Sequence, residues 1–423
     1  MLKSKLETIE IKNELKWIYV TDETGVQKQI ERINETADEF KKLFGENREM
    51  SLFSAPGRIE IGGNHTDHQG GNVLAASINL DVIGVASKND SDVIRIKSSG
   101  FVMDTVNINE LDAVESEKNQ AISLIRGIAY AIKNAGHKIS GFDMYTTSNV
   151  LKGSGMSSSA AFEVLIGTVI NDFYCNNALT NVEIAMIGQF AENEYFGKPC
   201  GLMDQSASSV GNLITINFKD SSKPIVKKIN YNFSKSGYSI CIIDTLGDHS
   251  DLTDEYAAIP HEMKEIAKYF NKDVLSQVDA DDFYENIGDI RKKVSERAVL
   301  RAVHFFNDNE CCLKQVKALK ESDFEEFKNL ITKSGYSSFM YLQNVYTSTN
   351  VHSQPVSVAL AMCERLLSSK GAYRVHGGGF AGTIQAFVPI EMTDKFKEEI
   401  EKVTGEGTCH ILSVRPTGGI KII

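Results

Sequence analysis

No stretch of this sequence approaches the roughly 18 uncharged apolar residues that a membrane-crossing helix needs. Its start, MLKSKLETIEIKNELKW, is charged throughout and has no apolar leader segment. A cytoplasmic protein with no membrane partner is the expectation. Positive charge is also short: 45 Lys and Arg stand against 56 Asp and Glu, a net charge of −11. That balance argues against a nucleic-acid partner, since phosphate backbones are held by clustered cations. A single small anion is not excluded, because a local loop or helix N-terminus can hold one whatever the net charge. Cysteines number seven, and Cys175, Cys200, Cys241, Cys311, Cys312, Cys363 and Cys409 show no CxxC spacing. An odd, scattered set fits reduced thiols better than a disulfide framework or a zinc site. Cys311 and Cys312 read as packing residues at a helix start. Repeats and low-complexity segments are absent.

What is present is enough apolar material for two or three domains: 423 residues, 42% hydrophobic. Residues 1–50 read as helical, with Ile30, Ile33, Phe40 and Phe44 on one face of ETGVQKQIERINETADEFKKLF. From Leu52 the pattern turns to short alternating strands: SLFSAPG, VLAASINLDVIGVAS, DVIRIKSS and FDMYTTSNV. Two helical stretches, AISLIRGIAYAIKNAG and AAFEVLIGTVINDFY, lie among and after them. Consecutive early strands followed by helices predict an α+β fold with a mixed sheet rather than a doubly wound parallel one. After NLITINF come a charged SSKPIVKK, the strand YSICIIDT and a helical region over about 255–347. A helix near 355–369, the strands AYRVHG and TIQAFVP, another helix and a last strand near 408–414 complete the pattern. The change of character places a domain boundary near 215, dividing the chain into 1–215 and 216–423.

Three glycine-rich loops carry the chemistry. The first, SAPGRIEIGGNHTDHQGG, gathers Arg58, Asn64, His65, Asp67 and His68 among five glycines. Pro56 and Gly57 turn the chain and deliver Arg58, whose planar donor set suits phosphate oxygens. His65 and His68 lack a third spaced partner for a metal, and Asn, His and Asp together suit a hydroxyl-rich ligand. The second, NVLKGSGMSSSAAFEV, follows a strand and opens a helix. Gly153 and Gly155 permit close backbone approach, Ser157 to Ser159 cap the helix, and the exposed N–H groups form a phosphate cradle. It lacks the lysine of the common GxxxxGK[ST] loop, and a serine hydroxyl could reach a phosphate-bound Mg²⁺ instead. The third, VHGGGFAGT, reads as a tight hairpin or as a close backbone approach to a ligand. A fourth segment, AENEYFGKPCGLMDQSASS, holds Asp204 among uncharged neighbours, which leaves it paired or catalytic. Paired with Arg58 it suits phosphoryl transfer, the carboxylate taking a hydroxyl proton while the guanidinium stabilises the moving group. Glu192 is surface charge or a Mg²⁺ ligand.

On these residues, from about 50 to 423, the chain resembles the galactokinase group of the GHMP small-molecule kinases, with APGRIEIGGNHTDHQGG, LKGSGMSSSAAFEV and VHGGGFAGTIQAF in order and with CGLMDQ and HSDLTDEY as further matches. The resemblance implies the two-domain α+β GHMP kinase fold, mixed sheets with helices and the active site in the interdomain cleft. It implies ATP-dependent phosphorylation of galactose at its C1 hydroxyl, with ATP and Mg²⁺ as cofactors and the sugar as partner; a monomer is the separate expectation for the working form. Asp204 would be the base and Arg58 the transition-state stabiliser. Gly153, Ser154, Gly155, Met156, Ser157, Ser158 and Ser159 would form the ATP-phosphate loop, and Ser159 and Glu192 would contact Mg²⁺. Asn64, His65, Asp67 and Tyr256 would contact the sugar. One departure stands out: galactokinases usually read GEHTDYNGG, whereas Asn64 and His68-Gln69 replace Glu and Tyr-Asn here. A neutral amide near C6 tolerates a uronic acid, so galacturonate is the alternative substrate. A non-catalytic sugar sensor would have lost part of the SSSAA run, which is intact, and GHMP kinases for non-sugar alcohols generally lack the MDQ and HTD strings.

Overall fold

The chain's computed structural model describes residues 2–151, 155–220, 223–247 and 252–423. The longest strands, β1 (Ser51–Gly62) and β2 (Asn72–Lys88), form an antiparallel hairpin around the first glycine loop. The pairing shifts register between Pro56 and Arg58. Proline has no N–H to give the ladder, and after this interruption the Arg58 N–H points away from β2 to the Met156 carbonyl at 3.0 Å. Gly57 permits that approach, since a Cβ there would stand 2.9 Å from the Met156 oxygen.

Alternation decides how the sheet is covered. In a strand successive side chains face opposite sides, and in β2 Ile83 and Val85 join one apolar cluster while Val82 and Ala86 join another. The first face packs under the helix Glu23–Phe44, where Ile30, Ile33 and Phe40 are buried as the periodicity predicts and Phe44 lies at the margin. The second packs under helices Ala121–Asn134 and Ser158–Tyr174. The remaining strands are β3 (Val93–Ser98), β4 (Met103–Asn107), β5 (Phe142–Ser148), β6 (Leu213–Asn217), β7 (Ile225–Ile229), β8 (Tyr238–Asp244), β9 (Ala372–His376), β10 (Thr383–Pro389), β11 (Cys409–Leu412) and β12 (Ile420–Lys421). The larger sheet runs β12-β1-β2-β5-β3-β4, with β6 also on β2 and β7 on β6. Its β3–β5 pair is parallel and the rest antiparallel, so the expected mixed sheet is present. The smaller sheet, β11-β8-β10-β9, is antiparallel throughout, and helices Pro355–Leu367 and Thr393–Thr404 share its core.

Several details depart from the sequence pattern. Cys311 and Cys312 lie in the middle of the helix Glu296–Lys320, buried, rather than at its start. The charged SSKPIVKK segment supplies β7, an edge strand whose Lys227 and Lys228 are exposed; edge lysines discourage unwanted strand pairing. Position 215 falls inside β6, and β12 returns from the far end of the chain to pair with β1. No helix among the described residues is long and apolar enough to cross a membrane.

One buried charge fastens these parts together. The Asp81 carboxylate, fully buried, accepts from the Tyr19 hydroxyl at 2.7 Å, Arg32 at 2.6 Å, Arg415 at 3.1 Å and the Ser54 hydroxyl. Burial pushes its carboxyl up, but the two guanidiniums outweigh that and hold it below the usual range. Removing one partner of a buried pair leaves charge uncompensated. Arg415→Met is therefore expected to cost about 3 to 5 kcal/mol in urea unfolding; a loss under about 1 kcal/mol would show that Arg32 alone satisfies Asp81.

Candidate active site

The register shift in β1 sends Arg58 toward the first turn of the helix Met203–Val210, where Asp204 stands. The two side chains, 146 positions apart, meet edge to edge: Nε reaches Oδ1 at 2.7 Å and Nη2 reaches Oδ2 at 2.5 Å. The third nitrogen, Nη1, donates to the Gly155 carbonyl. Burial raises the Asp204 carboxyl, yet the Arg58 charge and hydrogen bonds, with help from the Ser157 hydroxyl, bring it below the ordinary range. Asp204 is thus an ionised acceptor at neutral pH.

The second loop is anchored on the same pair through Gly155 and Met156. Gly155 has φ +70, in the left-handed region that favours glycine, and Met156 is fully buried. Ser157 occupies the N-cap of the helix Ser158–Tyr174 with φ 55, but its side chain caps no helix N–H; its hydroxyl serves Asp204 instead. The expected capping role is thereby corrected. Ser158 and Ser159 are half-buried in the first helical turn, where backbone N–H groups have no intrahelical partner. Gly153 and Ser154 lie outside the described residues.

Residues of the first loop meet the third glycine loop. His65, held at φ 57, faces the Gly378 carbonyl at 3.1 Å through Nε2. Burial pushes its imidazole down to about 4, so the ring is neutral. A carbonyl only accepts, so the proton sits on Nε2 and Nδ1 is left as an acceptor. Tyr256 donates its hydroxyl to the Gly379 carbonyl at 2.8 Å, and its ring lies where a Cβ on Gly378 would be, 2.7 Å from Cε1. The third loop is a hairpin between antiparallel β9 and β10, and its carbonyls are spent on protein groups. Asp67 is mostly buried beside Gly201, whose added Cβ would stand 3.0 Å from Oδ2. It lines a cavity of about 470 Å³ shared with His68, Cys200, Gly201 and Leu202.

Asn64 is placed differently from its expected role. It is fully buried, and its amide donates to Glu60 at 2.9 Å and to the Gly377 carbonyl at 2.7 Å. Its oxygen accepts from Asn344 at 2.9 Å and from Ser338 at 3.4 Å. Both amide protons and both lone pairs are therefore used within the protein. Glu192, in the π-helical turn Ala191–Phe196, is buried rather than surface charge, between Lys198 at 3.3 Å and the Gln205 amide at 2.8 Å. Among the described residues no group of three His, Cys, Asp or Glu stands ready to hold a metal.

Four further buried polar residues, Glu60, Glu163, Gln205 and His376, sit inside the quoted motifs with no role that the sequence suggests. Their signal is a polar residue in an apolar run, as in Ile59-Glu60-Ile61. His376 joins the two halves of the site: its Nε2 accepts from the Glu60 N–H at 3.1 Å and its Nδ1 faces the Thr383 hydroxyl at 2.9 Å. Burial and the Arg58 and Arg374 charges push it down to about 3, so it too is neutral.

Burial pushes Glu60 up to about 7 against the pull of Arg374 at 3.0 Å and of Asn64. A raised carboxyl stabilises the fold fully below its unfolded pKa, and that contribution is lost as pH rises toward 7. Between pH 4.5 and 7 this site's contribution should fall by at most about 3 kcal/mol. In Glu60→Gln that slope should vanish from melting curves taken across the same range; an unchanged slope would assign it elsewhere.

The galactokinase galactose-binding signature matches residues 38–88, and the GHMP kinases N terminal domain matches residues 123–212. The galactokinase of Glaesserella parasuis is 30% identical over 403 residues, 91% of this chain and 98% of its own. That of Clostridium acetobutylicum is 30% identical over 400 residues, covering 90% and 97%. Among solved structures, Lactococcus lactis galactokinase complexed with galactose superposes with a TM-score of 0.78 at 23% identity, over 92% of this chain and 99% of that one. The mevalonate kinase of Methanococcus jannaschii gives 0.62 at 15% identity, over 87% and 99%, which shows the shared fold. With a likeness of that extent laid over a glycine-loop site built on Arg58 and Asp204, the chain belongs to the galactokinase family of the GHMP kinases.

Proposed function

We propose that the protein transfers the terminal phosphoryl group of ATP to the C1 hydroxyl of galactose. The observation that carries this reading is the two-point Arg58–Asp204 contact fastened to the second loop through Gly155. Each carboxylate oxygen has lone pairs beyond the one given to Arg58, so Asp204 can also accept a sugar hydroxyl. Its depressed basicity fits a loose transfer in which the proton leaves late, once the attacking oxygen has begun to bond to phosphorus and become acidic. Arg58, fastened to the second loop through Gly155, would then stabilise charge that develops on the moving group.

Asp67 and Nδ1 of His65 supply acceptors for sugar hydroxyls, and Tyr256 supplies its ring, its hydroxyl being engaged with Gly379. The loop suits a C6 hydroxyl better than a carboxylate. His65 is neutral, Asn64 is saturated, and Arg374 beneath them is fully buried, its guanidinium given to Glu60, Ile61 and Val375. For the second substrate, Gly155 to Ser159 would offer backbone N–H groups to phosphate, with the hydroxyls of Ser158 and Ser159. The hydroxyl of Ser159 and the carboxylate of Glu192 are oxygen donors of the kind that would hold Mg²⁺ together with substrate phosphates. The metal would supply neutralisation of phosphate charge.

ADP release from ATP and Mg²⁺ with galactose, against the same with galacturonate, tests the substrate directly. Turnover with galactose and little with galacturonate is expected, and the reverse result would transfer the assignment to the uronate. Asp204→Asn should lower turnover about a thousandfold or more while galactose affinity stays within about fivefold by calorimetry; full turnover would remove Asp204 from the base role.

A further inference from the structure

The helix behind the second loop, SSAAFEVLIGTVINDFY, is apolar on nearly every side, and one carboxylate interrupts its first two turns. Glu163 is buried to 1% exposure. A carboxylate in that setting is costly unless it is held by hydrogen bonds, and what holds it is the Gln205 amide, whose Nε2 donates to Oε2 at 3.0 Å. The other oxygen, Oε1, has no partner among the described residues. The same Gln205 nitrogen donates to Glu192 Oε2 at 2.8 Å. One NH₂ group with two hydrogens therefore bridges the carboxyl groups of two buried glutamates.

The bridge joins three elements that bear on the chemistry. Glu163 comes from the helix that opens at the phosphate loop, Glu192 from the π-helical turn, and Gln205 is the residue after Asp204 on its helix. A π-turn changes which way its side chains project, and Glu192 reaches the bridge from it. Gly188 makes room: a Cβ there would stand 3.1 Å from Glu163 Oε2 and 3.2 Å from Gln205 Cγ. With Lys198 on Glu192 Oε1 at 3.3 Å, both oxygens of Glu192 have fixed directions.

We infer that Glu163 is a positioning residue: through the Gln205 amide it fixes Glu192 at the phosphate end of the site and fixes the helical turn that carries Asp204. The inference rests on the kinase reading, yet it is tested without the sugar. ADP binding is measured by calorimetry with and without Mg²⁺ in the wild type, Glu163→Ala, Glu163→Gln and Gly188→Ala. The tightening of ADP by Mg²⁺ should weaken about tenfold in Glu163→Ala, the size expected when a residue that orients a ligand is lost, with Mg²⁺-free ADP affinity unchanged. Glu163→Gln keeps an acceptor for Gln205 and should recover to within about threefold of wild type. Gly188→Ala, which keeps the carboxylate but crowds it, should lose part of the Mg²⁺ effect at unchanged melting temperature, so the test survives if Glu163→Ala fails to fold. In steady state kcat should drop while KM for galactose stays within about twofold. Wild-type Mg²⁺ dependence in Glu163→Ala or Gly188→Ala, or a Glu163→Gln no better than alanine, overturns the role. A wild type that binds no ADP under any condition would sink the kinase reading instead, a separate result.

Discussion

The contact between Arg58 and Asp204 organises this molecule because neither charge can be taken from water alone. A largely buried guanidinium and a carboxylate, set edge to edge, repay much of their desolvation only in good geometry with further partners. That requirement reaches outward. It needs the strand β1 broken at Pro56, so that Arg58 turns from the ladder to Met156. It needs the second loop brought over the pair, where Gly155 takes the third guanidinium nitrogen, and it recruits Ser157 away from capping its own helix. The fold positions the pair, and the pair in turn positions the second glycine loop.

On the first-loop side of this charged centre two histidines are kept neutral and the Asn64 amide is saturated. His65 and His376 both lie well below the point of protonation at neutral pH, and each has its tautomer set by a single neighbour, a carbonyl in one case and a backbone N–H in the other. Asn344 and Ser338 complete the hydrogen bonds of the Asn64 amide oxygen. In a low-dielectric site, neutral rings on this side leave the field of Arg58 and Asp204 little weakened.

Much of this was legible beforehand, and the reasons differ from residue to residue. The buried face of Glu23–Phe44, the hairpin β9–β10 and the mixed character of the larger sheet follow from periodicity, which is a local property. Arg58 and Asp204 were legible as types, because a lone charge among apolar neighbours needs a partner. The burial of Asn64 was not, since saturation of its amide depends on Glu60, Asn344 and Gly377, which no spacing brings together. β12 escaped because two residues carry no period, and β7 because its lysines mask an edge strand as a charged connector. The Glu163–Gln205–Glu192 bridge is likewise invisible in one dimension.

The three carbonyls of Gly377, Gly378 and Gly379 are each claimed by a residue from a remote part of the chain, Asn64 and His65 from 313 positions earlier and Tyr256 from 123. Such closures reward the chain only after long loops have already been ordered, which makes them slow to form. The junction of the first and third glycine loops is therefore among the last regions to consolidate during refolding, after most secondary structure has returned.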